Sequence, residues 1–305
     1  MRSQKFLVTG ASGFVGRAIV DELSASGEVL GLTRSRWSAV GSDCETVVAD
    51  LAQGLPPELE CPGVTVVHAA GTTISDSRDE LWADNVEGTR RMLEWAVRQR
   101  ARHFIYVSTG KVYGYSYGRR DAHVETDPIR PLGFYAHTKR MGEQLVEAYH
   151  AAEGLSATIV RLFFSYGPGQ RHGLLHRIEN SIQRGLPLAI NNNGAPLLNP
   201  IHIDDVATAV AALIEPREGV QIYNVCGDEV LSFQGLVQAA ESRLGLRANR
   251  QETGLDCGDL LGNNARLRRN FDWSPRKRLL KPAPAPRPSA GFEPVLDALL
   301  ACGHP

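Results

Sequence analysis

The sequence predicts an α/β protein with a doubly wound parallel sheet and a smaller α/β lobe interleaved with it. Over the first two-thirds of the chain, short runs rich in Val and Ile alternate with longer amphipathic stretches. A glycine-rich turn separates the first of these runs from the first amphipathic stretch. Apolar runs joined by helices are typical of parallel strands that helices cover on both faces. A Rossmann-type sheet is the simplest arrangement that satisfies this pattern.

Each predicted strand is a short apolar run bounded by polar or turn residues. The strands are predicted at Lys5–Thr9, Glu28–Thr33, Thr46–Ala49, Val64–Ala69, His103–Ser108, Ala157–Leu162 and Val220–Val225. The helices are predicted at Gly13–Ser26, Trp82–Gln99, Phe134–Glu153, Gly173–Arg184 and Asp204–Ile214. The last helix opens with acidic residues, which stabilise a helix N-terminus.

The pattern changes after Gly167 without a clean linker, so the smaller lobe is expected to share the chain with the sheet domain. Residues 1–170 plus about 200–226 are predicted to form the sheet domain. Residues about 171–199 plus 227–280 are predicted to form the smaller lobe. Residues 281–305 form a Pro/Ala-rich tail, which we expect to be extended or disordered over Lys281–Gly291.

Composition excludes several classes of function. The formal net charge of -1 provides no basic field to attract nucleic acid. No apolar run reaches membrane-spanning length, and the first residues do not form a signal-peptide pattern. The five cysteines are widely spaced and form no CxxC pair, which favours the reducing cytoplasm over a disulfide framework or a zinc site. His172 and His176 lie four residues apart without a carboxylate partner, so we expect no bound metal.

The glycine-rich turn is a candidate phosphate site. Gly10, Gly13 and Gly16 follow the first predicted strand with the spacing GxxGxxG. Glycines permit a tight turn there and let backbone N–H groups approach a pyrophosphate at the positive end of a helix. Glycines also occur in such turns for geometry alone, but the position after the first strand favours a dinucleotide site.

Several segments together resemble the extended short-chain dehydrogenase/reductases, a family that includes nucleotide-sugar epimerases and dehydratases. The resemblance begins with Val8-Thr9-Gly10-x-x-Gly13-Phe14-Val15-Gly16 and ends with Phe271-Asp272-Trp273-Ser274-Pro275. It implies a set of residues that bind NAD(P): Gly10, Gly13, Phe14, Val15, Gly16, Thr33, Arg34, Asp50, Leu51, Ala69, Ala70, Gly71, Asn85, Tyr135, Lys139 and Phe163.

The end of the second predicted strand bears on the choice between NAD and NADP. Dinucleotide folds often place an acid there that binds the adenosine ribose and selects NAD. Here the position is Thr33, followed by Arg34 and then by Arg36. Since Thr33 does not repel a 2′-phosphate and Arg34 can pair with one, the sequence favours NADP(H). NAD(H) is the alternative if Arg34 is a solvated loop residue or stacks on the adenine.

The segment Tyr135-Ala136-His137-Thr138-Lys139 carries the predicted chemistry. Tyr135 and Lys139, four residues apart on a helix, project from the same face, and a nearby ammonium favours the phenolate. Thr109 ends the fifth predicted strand in a segment similar to the family's Ser-Ser/Thr-x-x-Val-Tyr-Gly signature. The resemblance makes Tyr135 the acid/base, Thr109 the hydroxyl that binds the reacting oxygen, and Lys139 the group that modulates the phenol and holds the nicotinamide ribose. His137 is expected on another face of the helix.

Two positions argue against one branch of the family. The family's 4,6-dehydratases carry an Asp-Glu pair immediately after the catalytic Thr, where this chain has Gly110 and Lys111. Without two carboxylates, the elimination lacks its acid and its base. The sequence therefore predicts that the protein is not a 4,6-dehydratase.

The resemblance also implies substrate contacts at Thr73, Thr109, Phe164 and Arg171. Phe164 replaces an Asn that touches the substrate in typical members, so the sugar or phosphate contacts must differ here. Arg171 is the candidate for the diphosphate, with a plain surface role as the alternative.

The leading hypothesis is hydride transfer at C4 of a nucleoside-diphosphate hexose, by an epimerase or by a 4-ketoreductase that performs only the second half of the reaction. The alternatives are a catalytically silent NADP-sensing regulator on the same fold and a reductase of a non-sugar carbonyl substrate. By family resemblance we expect a homodimer that pairs the helices around residues 85–98 and 135–151.

Overall fold

The computed structural model describes residues 4–35, 44–73, 75–117, 121–191, 194–254 and 258–280. Arg36 and the Pro/Ala-rich tail, about which the sequence makes predictions, lie outside the described residues.

The strands of the main sheet begin and end within one residue of their predicted bounds. In chain order, all strands are β1 Gln4–Thr9, β2 Gly27–Thr33, β3 Glu45–Val48, β4 Thr65–His68, β5 His103–Thr109, β6 Ala157–Leu162, β7 Ser165–Tyr166, β8 Pro187–Asn191, β9 Leu197–Leu198, β10 Ile201–His202, β11 Val220–Val225, β12 Leu231–Ser232 and β13 Asn249–Thr253.

The seven-stranded main sheet has the order β11-β6-β5-β4-β1-β2-β3, with every neighbouring pair parallel. The chain builds outward from β1 to β3, returns to β4 on the other side of β1, and builds outward again. The predicted doubly wound parallel sheet is thereby confirmed. In such a sheet, ligands bind outside the carboxyl ends of the strands where the winding reverses, which here is between β1 and β4.

Eight α-helices connect and cover the described strands. In chain order they are α1 Phe14–Leu23, α2 Arg78–Trp82, α3 Gly88–Arg98, α4 Gly133–Glu153, α5 Leu174–Gln183, α6 Ile203–Ala212, α7 Phe233–Leu244 and α8 Ala265–Asn270. The single helix predicted at Trp82–Gln99 is instead α2 and α3 joined by a π-helical turn, Ala83–Glu87.

Successive side chains of a strand point to opposite faces of the main sheet. Phe6 and Val8 of β1 pack with α1 and α6 in one core cluster, whereas Leu7 packs on the other face with α3 and α4. This is the period of two that a pleated strand imposes. Every residue of β5 is buried, as expected for a central strand covered on both faces.

A third core cluster lies beyond the end of β5. It contains Tyr113 and Phe163 from the segments that follow β5 and β6, together with residues of α5, β8 and α7. The short pairs β13·β8, β12·β9 and β10·β7 flank it. This cluster draws on both chain segments predicted for the smaller lobe, although the domain bounds themselves stay a prediction.

Candidate active site

The glycine turn between β1 and α1 has the geometry of a phosphate cradle. Gly10 has φ +66°, and a Cβ there would lie 2.9 Å from backbone atoms of Ala70. A Cβ at Gly16 would lie 2.1 Å from the carbonyl oxygen of Gly10. No side chain caps the N-terminus of α1, so its first backbone N–H groups remain available to a ligand. The turn therefore fits the pyrophosphate of a dinucleotide.

A cleft of about 1660 Å³ runs from this turn past the carboxyl end of β5 to the third core cluster. It is lined by most of the residues predicted to bind cofactor: Gly10, Gly13, Phe14, Val15, Gly16, Arg34, Ala69, Ala70, Gly71, Asn85, Tyr135, Lys139 and Phe163. It is also lined by all four predicted substrate residues: Thr73, Thr109, Phe164 and Arg171.

Three predicted cofactor residues do not line this cleft. Thr33 is buried, and its hydroxyl donates to the carbonyl of Ser35 at 2.7 Å. The Asp50 carboxylate accepts hydrogen bonds from the backbone of Ala52 and from the side chain of Gln53. Leu51 is buried in the core. The roles of these three residues toward the cofactor stay predictions.

The predicted catalytic residues meet in the cleft. Thr109 ends β5, Tyr135 lies in the first turn of α4, and the Thr109 side chain is close enough to the Tyr135 phenol to lower its pKa. Lys139 follows one turn later on α4, and its Nζ lies 4.2 Å from the centroid of the Tyr106 ring. The carboxyl end of a central strand and the start of a helix therefore bring a phenol and an alcohol into one cleft.

Burial is the largest influence on the pKa of both Tyr135 and Lys139. Burial raises the pKa of Tyr135 to about 12, and the hydrogen bond with Thr109 lowers it only in part. Burial also lowers the pKa of Lys139 to about 7, against an opposing effect of Glu143. In the protein alone, desolvation dominates at Tyr135 and partly discharges Lys139 near neutral pH. The effect of the Lys139 ammonium on the phenol stays a prediction.

Asn85 holds one wall of the cleft in place through buried hydrogen bonds. It is fully buried, its amide donates to the Thr72 carbonyl and to the Thr138 hydroxyl, and its Oδ1 accepts from the Thr72 backbone. A Cβ at Gly71 would lie 2.5 Å from that Oδ1. Asn85 therefore ties the loop after β4 to α4 and holds the cleft wall that Ala70 and Gly71 form.

A buried ion pair behind the catalytic group was not assigned a role from the sequence. Arg161 of β6 donates to both carboxylate oxygens of Glu143, at 3.1 and 2.9 Å, and both side chains are almost fully buried. Glu143 also accepts from Ser108, the residue before Thr109, at 2.6 Å. Tyr135, Lys139 and Glu143 are spaced four residues apart, so they follow one another on the same face of α4. This spacing was the feature of the sequence that could have identified Glu143.

The segment after Thr109 closes the other side of the site. Phe163 lies between two glycines, and a Cβ at either Gly110 or Gly262 would meet its ring at 2.6 Å. The next residue, Lys111, lines the cleft, and its Nζ lies 5.9 Å from the centroid of the Tyr135 ring. In the sequence, Lys111 was interpreted only as the replacement of a dehydratase carboxylate. Its position two residues after Thr109 was the signal that could have indicated a cation in the site.

Arg34 has a partner that the sequence did not reveal. Its guanidinium donates to the Asp84 carboxylate at 3.0 Å, and Asp84 also accepts a hydrogen bond from the hydroxyl of Thr72. Asp84 lies in the π-helical turn next to Asn85. A carboxylate thus sits beside the cation predicted to bind a 2′-phosphate.

Together, the doubly wound sheet, the glycine turn and the Thr/Tyr/Lys cleft define an enzyme of the extended short-chain dehydrogenase/reductase type. The model of the NAD dependent epimerase/dehydratase family matches residues 6–226, and the chain belongs to that family.

The chain is similar to curated proteins with two different activities. It is 29% identical over 298 residues to a UDP-glucose 4-epimerase of Mycolicibacterium smegmatis, covering 90% of this chain and 94% of that protein. It is 27% identical over 251 residues to a dTDP-glucose 4,6-dehydratase of Streptomyces griseus, covering 76% of each. Among solved structures, MoeE5 in complex with UDP-glucuronic acid and NAD aligns with a TM-score of 0.78 and 27% identity, covering 90% of this chain and 95% of that chain.

Two negative findings apply to the described ranges. No helix there combines the length and the apolar composition that a membrane span requires. No group of three or more His, Cys, Asp or Glu side chains there is placed to hold a metal ion.

Proposed function

We propose that this protein is a nucleotide-sugar 4-epimerase that works at C4 of a nucleoside-diphosphate hexose. The observation that carries the proposal is the shared cleft, which Thr109, Tyr135 and Lys139 line together with the glycine turn. The similarity to a UDP-glucose 4-epimerase over 90% of the chain supports the same reaction class.

In this proposal each of the chain's own residues has a distinct task. When bound, the nicotinamide supplies the hydride acceptor and donor. Tyr135 takes the proton of the C4 hydroxyl and later returns it, and Thr109 holds the same oxygen by a hydrogen bond. Since the Tyr135 phenol has a pKa raised to about 12 by burial, it requires added positive charge nearby before it can act as a base near neutral pH. Lys139 supplies part of that charge when an anionic ligand restores its proton.

The packing of Phe163 supports the exclusion of a 4,6-dehydratase. At Gly110, where a dehydratase carries Asp, even a Cβ would lie 2.6 Å from that ring. At the next position Lys111 cannot donate or accept the proton as a carboxylate would. The dehydratase of Streptomyces griseus is therefore proposed to be a relative of different activity.

A 4-ketoreductase is the second candidate, since it would use the same three residues for one half of the reaction. Thr33 and Arg34, which tolerate a 2′-phosphate, favour it, because a reductase must exchange NADP(H). The pairing of Arg34 with Asp84 weakens that argument, and we propose NAD as the cofactor.

The proposal is tested by incubating the protein with UDP-glucose and with UDP-glucuronate and resolving the C4 epimers by NMR. An epimerase equilibrates the epimers without net change in nicotinamide absorbance, whereas a ketoreductase consumes reduced cofactor with a 4-keto-sugar. Tyr135→Phe is expected to lower kcat about 100- to 10,000-fold because it removes the acid/base. Tyr117→Phe is the matched control, since Tyr117 is 60% exposed and outside the cleft lining. Cofactor binding without turnover of any nucleotide-sugar or 4-keto-sugar would contradict the proposal and favour a silent regulator.

A further inference from the structure

Lys111 is a cation placed beside the predicted acid/base. It lies two residues after Thr109, and its own backbone N–H donates to the Thr109 hydroxyl at 3.3 Å. Its Nζ lies 5.9 Å from the centroid of the Tyr135 ring, and its side chain lines the cleft. The charge of Lys111 therefore lies close to the point where the substrate reacts.

Of the residues that the structure describes, none provides a carboxylate within ion-pair distance of Lys111. Arg177 also lines the cleft and lies close enough to Lys111 to affect its pKa. Burial, followed by the charge of Arg177, lowers the pKa of Lys111. The side chain of Lys111 is exposed to this cleft, so an anionic group of a bound ligand can reach its ammonium directly.

The position of this cation distinguishes between the anionic groups of a nucleotide-sugar. If Tyr135 exchanges a proton at the C4 hydroxyl, groups near its ring are those on C3, C4 and C5. The diphosphate is attached to C1, on the opposite side of the sugar ring from C4. A carboxylate at C6 is attached to C5, next to C4, and lies within reach of the same neighbourhood.

We propose that Lys111 binds the C6 carboxylate of the substrate, so that the preferred substrates are nucleoside-diphosphate uronic acids. This inference rests on the proposed function, because it uses Tyr135 to locate C4. It also accounts for a lysine at a position where an elimination enzyme requires a carboxylate: the residue recognises a C6 acid and takes no part in removing a C6 hydroxyl.

The test compares the Kd and the kcat/KM of UDP-glucuronate and UDP-glucose for the full-length protein with its cofactor. We expect the unmutated protein to prefer UDP-glucuronate, and Lys111→Met to lower that preference about 10- to 100-fold, as loss of a charge-assisted hydrogen bond does. Lys111→Arg should restore most of the preference because it restores the charge. Lys5→Met is the matched control, since it removes the same charge from the amino end of β1, away from the cleft.

Binding of UDP alone tests whether Lys111 contacts the diphosphate or the C6 carboxylate. The proposal expects UDP to bind Lys111→Met nearly as tightly as it binds the unmutated protein. If UDP and UDP-glucuronate are weakened equally, Lys111 binds the diphosphate and the proposal is overturned. Equal affinity of the unmutated protein for UDP-glucose and UDP-glucuronate overturns it as well. A preserved binding preference without turnover supports the Lys111 assignment and contradicts only the proposed epimerase activity.

Discussion

At the residue scale, we propose that the choice between NAD and NADP depends on three side chains from different parts of the chain. Thr33 ends β2 where many dinucleotide folds have an acid, and Arg34 follows it. The structure adds Asp84, whose side chain is 12% exposed and whose carboxylate pairs with Arg34. A 2′-phosphate would have to displace this carboxylate from Arg34 and would meet its negative charge.

Asp84→Asn is therefore expected to raise the affinity for NADP relative to NAD about 10-fold, because the amide keeps the shape but frees the Arg34 charge. The measurement is the Kd of each cofactor by titration of the protein. Asp79→Asn is the control, since Asp79 is exposed in the first turn of α2 and makes no ion pair with a described residue. An unchanged ratio of the two Kd values would show that Arg34 does not contact the 2′ position.

At the element scale, the buried ion pair and its hydrogen bond to Ser108 join β6 to the two elements that carry the predicted catalytic residues, β5 and α4. Glu143 belongs to α4, Arg161 to β6, and Ser108 to β5 next to Thr109. Arg161 extends the network to the Tyr113 hydroxyl at 2.8 Å, and Tyr113 in turn donates to Asn224 of β11. This buried network holds α4 at a fixed distance from the carboxyl end of β5.

Arg161→Met is expected to lower the free energy of unfolding by about 3–5 kcal/mol, because it leaves the Glu143 carboxylate buried without its main partner. The double variant Glu143→Leu with Arg161→Met should recover much of that loss, since it removes both charges. Urea denaturation gives the free energy of unfolding of the unmutated protein, the Arg161→Met variant and the double variant. Arg140→Met is the control: Arg140 also contacts Glu143, but it is more exposed and should cost about 1 kcal/mol or less. A loss below that value for Arg161→Met would refute the structural role of the pair.

The element scale also shows where the sequence pattern misled. The apolar period over Trp82–Gln99 predicted one helix, and the structure has two helices around a π-helical turn. This turn contains Asn85 and Asp84, which bond to the loop after β4 and to Arg34. Such turns often occur at functional sites. Their cause is a tertiary contact, so a local periodicity cannot reveal them.

At the scale of the whole molecule, the exposed faces of α3 and α4 are the surface on which we predict a homodimer. Arg90 on α3 pairs with Glu87 and Glu94, which makes this face a mixture of both charges. Leu145 and Tyr149 of α4 are partly buried and pack beside it on the core.

Arg90→Glu is expected to convert the dimer to monomers, because it brings three carboxylates together on the pairing face of each protomer. Size-exclusion chromatography with light scattering gives the molar mass directly. Arg247→Glu makes the same charge change at a 92% exposed site after α7 and should leave the mass unchanged. A monomeric unmutated protein would contradict the predicted assembly.

The amino-acid sequence by itself determined the order and type of the main elements and the position of the glycine turn, because strand alternation, helical period and turn chemistry are local properties. The roles of residues 109, 135 and 139 follow from the family resemblance and stay predictions. Only the tertiary structure decided which charges meet. The pairing of Arg34 with Asp84, the burial of Glu143 with Arg161, the raised pKa of Tyr135 and the entry of Lys111 into the cleft join residues that are distant in the chain or depend on desolvation. Solvent exclusion and charge proximity are set by packing in three dimensions, and no spacing along the chain encodes them directly.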